Sequence, residues 1–349
     1  MGDDNWKRQE KLMSPNTIAA ICHSLQQIIL AQSRRFNVVL HGGEPLLLGP
    51  EKLSFLLQEL RQVLPLDYPI SIQTNGVLIT EELLDICHHY ATTMAVSLDG
   101  PEHVHDKYRL THHQQGSFHA VMKGLRILQA HPAAKEMYAG LLAVVEPLSD
   151  PAVVYQFFKE VGTPSVDFLY RDGNHTRLPA GKRSPDSVEF GSWMIRLLDT
   201  YLNDPDPLPI RVLDDMMKVL LGGAVSKEGT GVTDFAIVII DTDGTIMKND
   251  TLKSTYNGAD KFSRPYNIKN HDLVDFLRSE EFQTYREMQR PNCQICQQCP
   301  ELAVCGGGMI LHRWKETTGF NNPSIYCADQ LLLIRHIRTV LATFAKQYA

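Results

Sequence analysis

The sequence is poor in the features that would send it into a membrane or onto a nucleic acid. No apolar run approaches the roughly 18 residues that cross a bilayer, and Met1 to Lys7 holds no apolar core of a signal peptide. A cytoplasmic location with no membrane partner is therefore expected. The 34 Lys and Arg are outnumbered by 40 Asp and Glu, for a net charge of −6, and form no long basic block. Binding duplex phosphates needs clustered cations, so nucleic acid is not the expected partner. Internal repeats and low-complexity tracts are absent, and cysteine is missing altogether from residues 88 to 292. The seven cysteines are instead unevenly placed: Cys22 and Cys87 stand alone, while Cys293, Cys296, Cys299, Cys305 and Cys327 fall within one short stretch. In a reducing compartment that crowding argues for metal or cluster ligation rather than disulfides.

What is present reads as α/β. With 43% hydrophobic residues in 349, the chain can bury a large core and a smaller module. Short apolar runs at Phe36 to Leu40, Ile70 to Gln73, Met94 to Leu98, Met137 to Val145 and Val166 to Tyr170 read as strands. Between and around them, Asn16 to Ala31, Glu51 to Val63, Glu81 to Tyr90, Phe118 to Gln129 and Pro151 to Val161 are amphipathic and long enough for crossover helices. Such alternation builds a parallel sheet that can curl into a full or partial (β/α) barrel, with its active site at the C-terminal edge of the strands. Residues 1–175 are assigned to this barrel, 176–230 to a helical connector (helices near Phe190 to Leu202 and Arg211 to Leu221), and 231–349 to a C-terminal module. In that module Ala236 to Ile240 and Thr245 to Met247 read as a strand pair, with helices at Leu273 to Met288 and Ala328 to Tyr348.

Cys296-x2-Cys299-x5-Cys305 with Cys327 supplies four soft ligands, three local and one returned by a loop. Tetrahedral zinc and an iron–sulfur cluster both accept such a set. Gly306-Gly307-Gly308 follows directly, and glycines there let backbone N–H groups approach cluster sulfides. Cys293 is a spare ligand or a bystander.

Gly42-Gly43-Glu44-Pro45, Gln73-Thr74-Asn75-Gly76, Val96-Ser97-Leu98-Asp99-Gly100-Pro101 with His105-Asp106-Lys107-Tyr108-Arg109, Gly116-Ser117-Phe118 and the cysteine block occur in order along nearly the whole chain. This set resembles radical SAM enzymes with a C-terminal SPASM-type domain, the kind that matures ribosomally made peptides and sulfatases. The resemblance implies a partial parallel barrel followed by a small iron–sulfur domain. It implies S-adenosylmethionine as cofactor, bound by Gly42, Gly43, Glu44, Pro45, Thr74, Asn75, Ser97, Asp99 and Arg109. Two glycines permit close backbone approach, and Glu44 can accept from the methionine ammonium. The competing reading is that Ser97 and Asp99 cap the next helix and Arg109 makes a surface ion pair.

Departures from the family are also present. Its chemistry needs a Cys-x3-Cys-x2-Cys loop that leaves one iron open for S-adenosylmethionine, placed after a first strand, and no such motif occurs in this sequence. Cys87, His88 and His89 cannot form one ligand face, since neighbouring helix positions point about 100° apart. The expectation is a chain that begins beyond that loop, short of one strand and of the ligands of its S-adenosylmethionine-binding [4Fe-4S] cluster, with an exposed sheet edge at Phe36 to Leu40. Cys296, Cys299, Cys305 and Cys327 match one auxiliary [4Fe-4S] cluster of two-cluster relatives, and the other cluster's position falls near Met309, so one auxiliary cluster is expected. His41 stands where sulfatase maturases tend to have Gln; together with Asp241-Thr242-Asp243-Gly244 and Asn322-Pro323-Ser324-Ile325-Tyr326-Cys327, it makes the sequence resemble the peptide-modifying branch that forms cyclophane-type cross-links.

The resemblance implies hydrogen abstraction from a precursor peptide or protein side chain, followed by C–C bond formation, with a flavodoxin or ferredoxin as electron donor. Loss of a proton calls for a base; Asp172, His175, Asp214 and Asp234 are the candidates. Two other outcomes are a non-catalytic peptide-binding relative holding a cluster or zinc, and oxidation of Ser or Cys to formylglycine.

Overall fold

A computed structural model of the chain describes residues 10–225, 227–232 and 236–347. Local signals set the helices. Ser14 accepts from the Thr17 amide at 3.2 Å and Pro15 opens the helix Pro15–Ala31; Asp150 accepts from Ala152 and Pro151 opens Pro151–Val161, which Gly162 closes in the left-handed region at φ 73°. Each helix turns an apolar stripe inward, Leu53, Leu57 and Leu60 in Gly49–Val63 and Val121, Leu125 and Leu128 in Phe118–Ala130.

Five strands form one parallel sheet in sequential order: β1 (Val38–Leu40), β2 (Ile70–Thr74), β3 (Thr92–Ser97), β4 (Tyr138–Val144) and β5 (Val166–Leu169). The register aligns Val39 with Ser71 and Ser71 with Thr93. A parallel sheet covered on both faces reads as unbroken apolar runs. Here β2 and β3 alternate instead: Ile70, Ile72, Met94 and Val96 are buried under the helices, while Ser71, Gln73, Thr93, Ala95 and Ser97 face a more open side. That open side is the concave interior of a partial barrel, so the expected α/β fold is the one observed. Among the described residues β1 pairs on one side only.

Beyond β5, the helices Glu189–Leu202 and Arg211–Leu220 close the barrel's far side, and Ile210 bridges Val166 in parallel. The strand pair is shorter than the sequence pattern suggests, β6 (Ile239–Ile240) and β7 (Ile246–Met247). The expected single helix at 273–288 is two, Leu273–Arg278 and Glu280–Met288, because Ser279 is extended and its hydroxyl caps the second through the Phe282 amide. Two cores result. The larger lies under the sheet and takes in Tyr326, Leu333 and Ile337 of the last helix, Cys327–Gln347; the smaller gathers Ile246, Phe262, Phe276, Phe282, Tyr285 and Ile310. The last helix is docked by a fully buried pair, Lys182 Nζ to Asp329 Oδ2 at 2.6 Å, whose other carboxylate oxygen accepts from the Gly191 amide at 2.7 Å.

Candidate functional site

The turns at the C-terminal ends of β1, β2 and β3 lie side by side because the strands do. Gly42 has φ 66°, and a methyl group on Gly42 or Gly43 would meet no atom within 4 Å, so the space over this turn is open to a ligand. Glu44 ties the turn to its neighbour: Oε1 accepts from the Leu46 amide (3.1 Å) and the Thr74 hydroxyl (2.7 Å), and Oε2 from the Asn75 amide (2.8 Å). Only lone pairs left on Oε2 are free to receive an ammonium. Pro45 opens the short helix Pro45–Leu48. Ser97 Oγ accepts from Gln73 Nε2 at 3.0 Å on the concave face.

Asp99 and Arg109 find each other. Arg109 Nε and Nη2 donate to the two Asp99 oxygens at 2.6 and 2.9 Å, and Asp99 Oδ1 also accepts from the Val144 amide at 2.9 Å. The fork is thus spent on a carboxylate of the chain itself, pinning the β3 turn to β4. Neither Ser97 nor Asp99 caps the helix Glu102–His105, whose N-cap is Pro101. His105 is fully buried, and burial lowers its pKa so that it stays neutral. The Asp99 amide donates to Nδ1 (3.3 Å), Nε2 bonds Ser117 Oγ (3.0 Å), and that hydroxyl donates to the Arg109 carbonyl (2.8 Å). The imidazole is accordingly the Nε2–H tautomer. Asp106 accepts from the Phe118 amide, and any side chain at Gly116 would overlap its carboxylate.

Acids from separate parts of the chain meet over these turns. Asp172, two residues beyond Tyr170, is solvent-accessible yet desolvated enough to raise its carboxyl pKa, with the Asp250 charge adding to the effect. An accessible group that is still desolvated lies in a concavity. Asp250 belongs to the turn after β7 that Asn249 caps, and stands 3.9 Å from His41 Nε2. Behind it, Glu228 Oε2 accepts from Asn249 Nδ2 at 2.9 Å; burial pushes this carboxyl up to about 7 against the pull of Arg313. Across the mouth, Glu146 accepts from Lys107 (3.0 Å) and Arg171 (2.9 Å), and Arg171 lies 3.8 Å over the Tyr108 ring. Burial opposes ionisation of Glu146, but Lys107, the Leu148 amide and Arg171 outweigh it.

The other candidate bases fare differently. His175 Nε2 bonds the Pro323 carbonyl at 2.8 Å and its amide bonds that of Trp314, so it fastens the C-terminal loops to the barrel. Asp214 accepts from the Tyr201 hydroxyl at 2.7 Å within the connector. Asp234 lies outside the described residues. Asp250, Glu228 and Arg313 were not singled out by the sequence; the only local sign was the Asn249–Asp250 step directly after a strand.

The cysteine block gathers around the start of the last helix. Cys296 lies in the helix Gln294–Gln297, Cys305 ends Leu302–Cys305, Cys327 begins Cys327–Gln347, and all are free thiols. Their sulfurs are in electrostatic reach of one another: Cys296 with Cys293, Cys327 and Cys305, Cys305 with Cys327 and Cys299, and Cys327 with Cys299 and Cys293. Cys293 thus lies within the group. Yet among the described residues no three of these or other ligand side chains are close enough to share one metal ion. Gly306, Gly307 and Gly308 take φ of 62°, 83° and 66°, which turns the Gly307 and Gly308 amides onto the Cys305 sulfur. Burial nevertheless pushes that thiol up to about 12. Cys22 and Cys87 are buried in Pro15–Ala31 and Glu81–His89, where burial raises them to about 11 and about 12, as inert core residues.

Buried donors without partners surround the cysteines. Tyr170 Oη and Arg313 Nε are sealed from solvent and meet no hydrogen-bond acceptor among the described residues. Tyr170 is in reach of Cys305, and Arg313, 1% exposed, of Cys296, Cys293 and Cys305. An unpaired buried donor costs about 1–3 kcal/mol. Thiolates and inorganic sulfides are acceptors, so this lining fits an iron–sulfur cluster.

Residues 8–137 match the Radical SAM superfamily. The chain is 28% identical over 335 residues to a serine-type anaerobic sulfatase-maturating enzyme of Bacteroides thetaiotaomicron, covering 88% of this chain and 77% of the relative. A cysteine-type counterpart from Clostridium novyi is 23% identical, covering 82% and 76%. In fold, the chain resembles native anSMEcpe with bound AdoMet (TM-score 0.80, 19% identity, 99% and 93% covered). It also resembles Streptococcus suis SuiB bound to precursor peptide SuiA (TM-score 0.60, 14% identity, 92% and 70% covered). Residues 8–137 therefore match the radical SAM superfamily, in a chain that is similar over most of its length to anaerobic sulfatase-maturating enzymes.

Proposed function

We propose that this protein oxidises a side chain of a peptide or protein substrate at the mouth of its barrel. When bound, S-adenosylmethionine and its reducing cluster supply a radical that removes a hydrogen atom, and an auxiliary cluster supplies an electron acceptor. Gly42, Gly43, Ser97 and the free lone pairs of Glu44 would hold the methionine end of the cofactor, with Thr74, Asn75, Asp99 and Arg109 keeping those turns in place. Cys296, Cys299, Cys305 and Cys327 would hold the auxiliary cluster, and Cys293 stands beside them. Asp172 is the base: it is exposed yet desolvated, and burial and the Asp250 charge raise its pKa above the ordinary carboxylate value, which makes it a stronger proton acceptor. The Asp250 charge adds to the raised Asp172 pKa, and His41 Nε2 stands 3.9 Å from Asp250. The supporting observation is this meeting of His41, Asp172 and Asp250, from three distant segments, over the turns of β1 to β3.

The named relatives favour oxidation of Ser or Cys to formylglycine. His41, set against Asp250 where sulfatase maturases tend to have Gln, favours the second reading, a C–C cross-link in which the carbon radical adds to an aromatic ring. Both need one proton and one electron removed after hydrogen abstraction. A flavodoxin- or ferredoxin-type protein would supply the reducing electron. The test is anaerobic turnover of the protein reconstituted with iron and sulfide, with S-adenosylmethionine, dithionite and peptides from neighbouring genes or sulfatases. The proposal expects 5′-deoxyadenosine and a peptide that has lost hydrogen. Hydrazide labelling of that product marks formylglycine, and its absence marks the cross-link. Intact S-adenosylmethionine with a fully loaded protein overturns the proposal.

A further inference from the structure

The sheet and the cysteine block meet at Tyr170, immediately after β5. Its ring stacks on Tyr326 at 4.5 Å and 24°, and Tyr326 directly precedes Cys327. The Tyr326 hydroxyl is accounted for, donating to the Arg171 carbonyl at 2.8 Å. The Tyr170 hydroxyl is not: it is buried, without an acceptor among the described residues, and in electrostatic reach of Cys305. A second such donor is Arg313. One arm of its guanidinium donates to the Gln289 carbonyl at 2.7 Å, while Nε has no acceptor, and the group lies in reach of Cys296, Cys293 and Cys305. Asp329, the acid nearest in sequence to Cys327, is already neutralised by Lys182, and Glu228 is the acid within reach of Arg313.

We propose that Tyr170 and Arg313 are positioning residues that donate to the sulfurs of the auxiliary cluster and raise its reduction potential. Hydrogen bonds and positive charge near cluster sulfurs stabilise the reduced, more negative state. Both donors are rigidly held, Tyr170 by stacking and Arg313 by burial and Gln289, so little reorganisation accompanies the electron's arrival. Tyr170 is contributed by the barrel, two residues before the proposed base Asp172. The electron-accepting power of the C-terminal region is thereby set in part by the domain that holds the substrate.

This inference rests on the proposed auxiliary cluster, and the experiment separates the two. Tyr170→Phe keeps the stacked ring and removes only the hydroxyl; Tyr326→Phe removes a hydroxyl already bonded to backbone; Arg313→Lys keeps the charge and loses the fork. Each protein is reconstituted anaerobically, assayed for iron and acid-labile sulfide, and titrated by EPR-monitored potentiometry. The expected result is unchanged iron and sulfide with a lower auxiliary potential for Tyr170→Phe and for Arg313→Lys, and a smaller change for Tyr326→Phe. An equal potential in Tyr170→Phe and wild type, or an equal shift in Tyr326→Phe, overturns the inference while leaving the cluster in place. Wild-type protein lacking sulfide at this site overturns the cluster itself. Should Tyr170→Phe fail to load, an exchangeable proton coupled to the reduced wild-type cluster decides: its presence supports the inference and its absence overturns it.

Discussion

The turns above β1 to β3 and the surroundings of the cysteine block are both polar and partly buried, but they differ in how their hydrogen bonds close. Around the turns the chain satisfies itself: Glu44 with Thr74 and Asn75, Asp99 with Arg109 and Val144, His105 with Ser117. No buried side-chain polar atom of the described residues before Asp167 lacks a partner. Two buried donors in electrostatic reach of the cysteines, Tyr170 Oη and Arg313 Nε, have no partner among the described residues. Such atoms are costly and call for an acceptor beside the thiols, while the turns form a finished frame with open space above Gly42 and Gly43.

Five substitutions test that contrast, beginning with the largest effect. Lys182→Met leaves Asp329 buried without its partner under the helix that begins at Cys327, and should cost about 3–5 kcal/mol in urea unfolding. A cost below about 1 kcal/mol would show that the helix is not docked by this pair. Next, alanine scanning of two glycines with positive φ compares the regions directly. At Gly306 a methyl carbon would lie 2.1 Å from the Gly231 carbonyl oxygen, whereas at Gly42 it meets nothing. Gly306→Ala should therefore cost about 3 kcal/mol or more, and Gly42→Ala only about 1 kcal/mol, with the latter felt instead in S-adenosylmethionine affinity.

Glu228 gives a pH signature. Its folded pKa of about 7 lies above the ordinary carboxylate value, so between the two the folded state holds more protons than the unfolded one. Stability from this group falls as pH rises through that window. Glu228→Gln should gain on the order of 2 kcal/mol over wild type at pH 8 and nothing at pH 4. Equal gain at both values would mean that folding does not shift this carboxyl's pKa. The smallest effect is expected at Arg109. Lysine there loses the bidentate bond to Asp99, about 1 kcal/mol in stability, with less than a tenfold change in S-adenosylmethionine affinity by calorimetry. A hundredfold loss of affinity in a fully stable protein would assign Arg109 to the ligand instead.

Much of the frame was legible because it is local. Period-two and period-3.6 patterns located five strands and their helices, and Pro151–Val161 was readable to the residue from its Asp150 and Pro151 start and Gly162 stop. The break at Ser279 was not, since a serine is tolerated within a helix until its hydroxyl finds an amide to cap. The cysteine set was visible from spacing, as was Asp172 from its place beyond a strand. Arg109 was read toward a ligand because sequence spacing cannot tell whose carboxylate a guanidinium meets. Asp250, Glu228 and Arg313 were silent, because each draws its character from distant segments of the chain: Asp250 from His41 and Asp172, Glu228 from Arg313.

The central claim is that Cys296, Cys299, Cys305 and Cys327 hold an iron–sulfur cluster beside a radical SAM barrel. Iron, zinc and acid-labile sulfide, measured side by side on anaerobically reconstituted wild type and on a variant with Cys296, Cys299 and Cys305 all replaced by alanine, test it most directly. The account predicts that the variant loses about four irons and about four sulfides relative to wild type, with no change in zinc. Loss of about one zinc with no change in sulfide would contradict it.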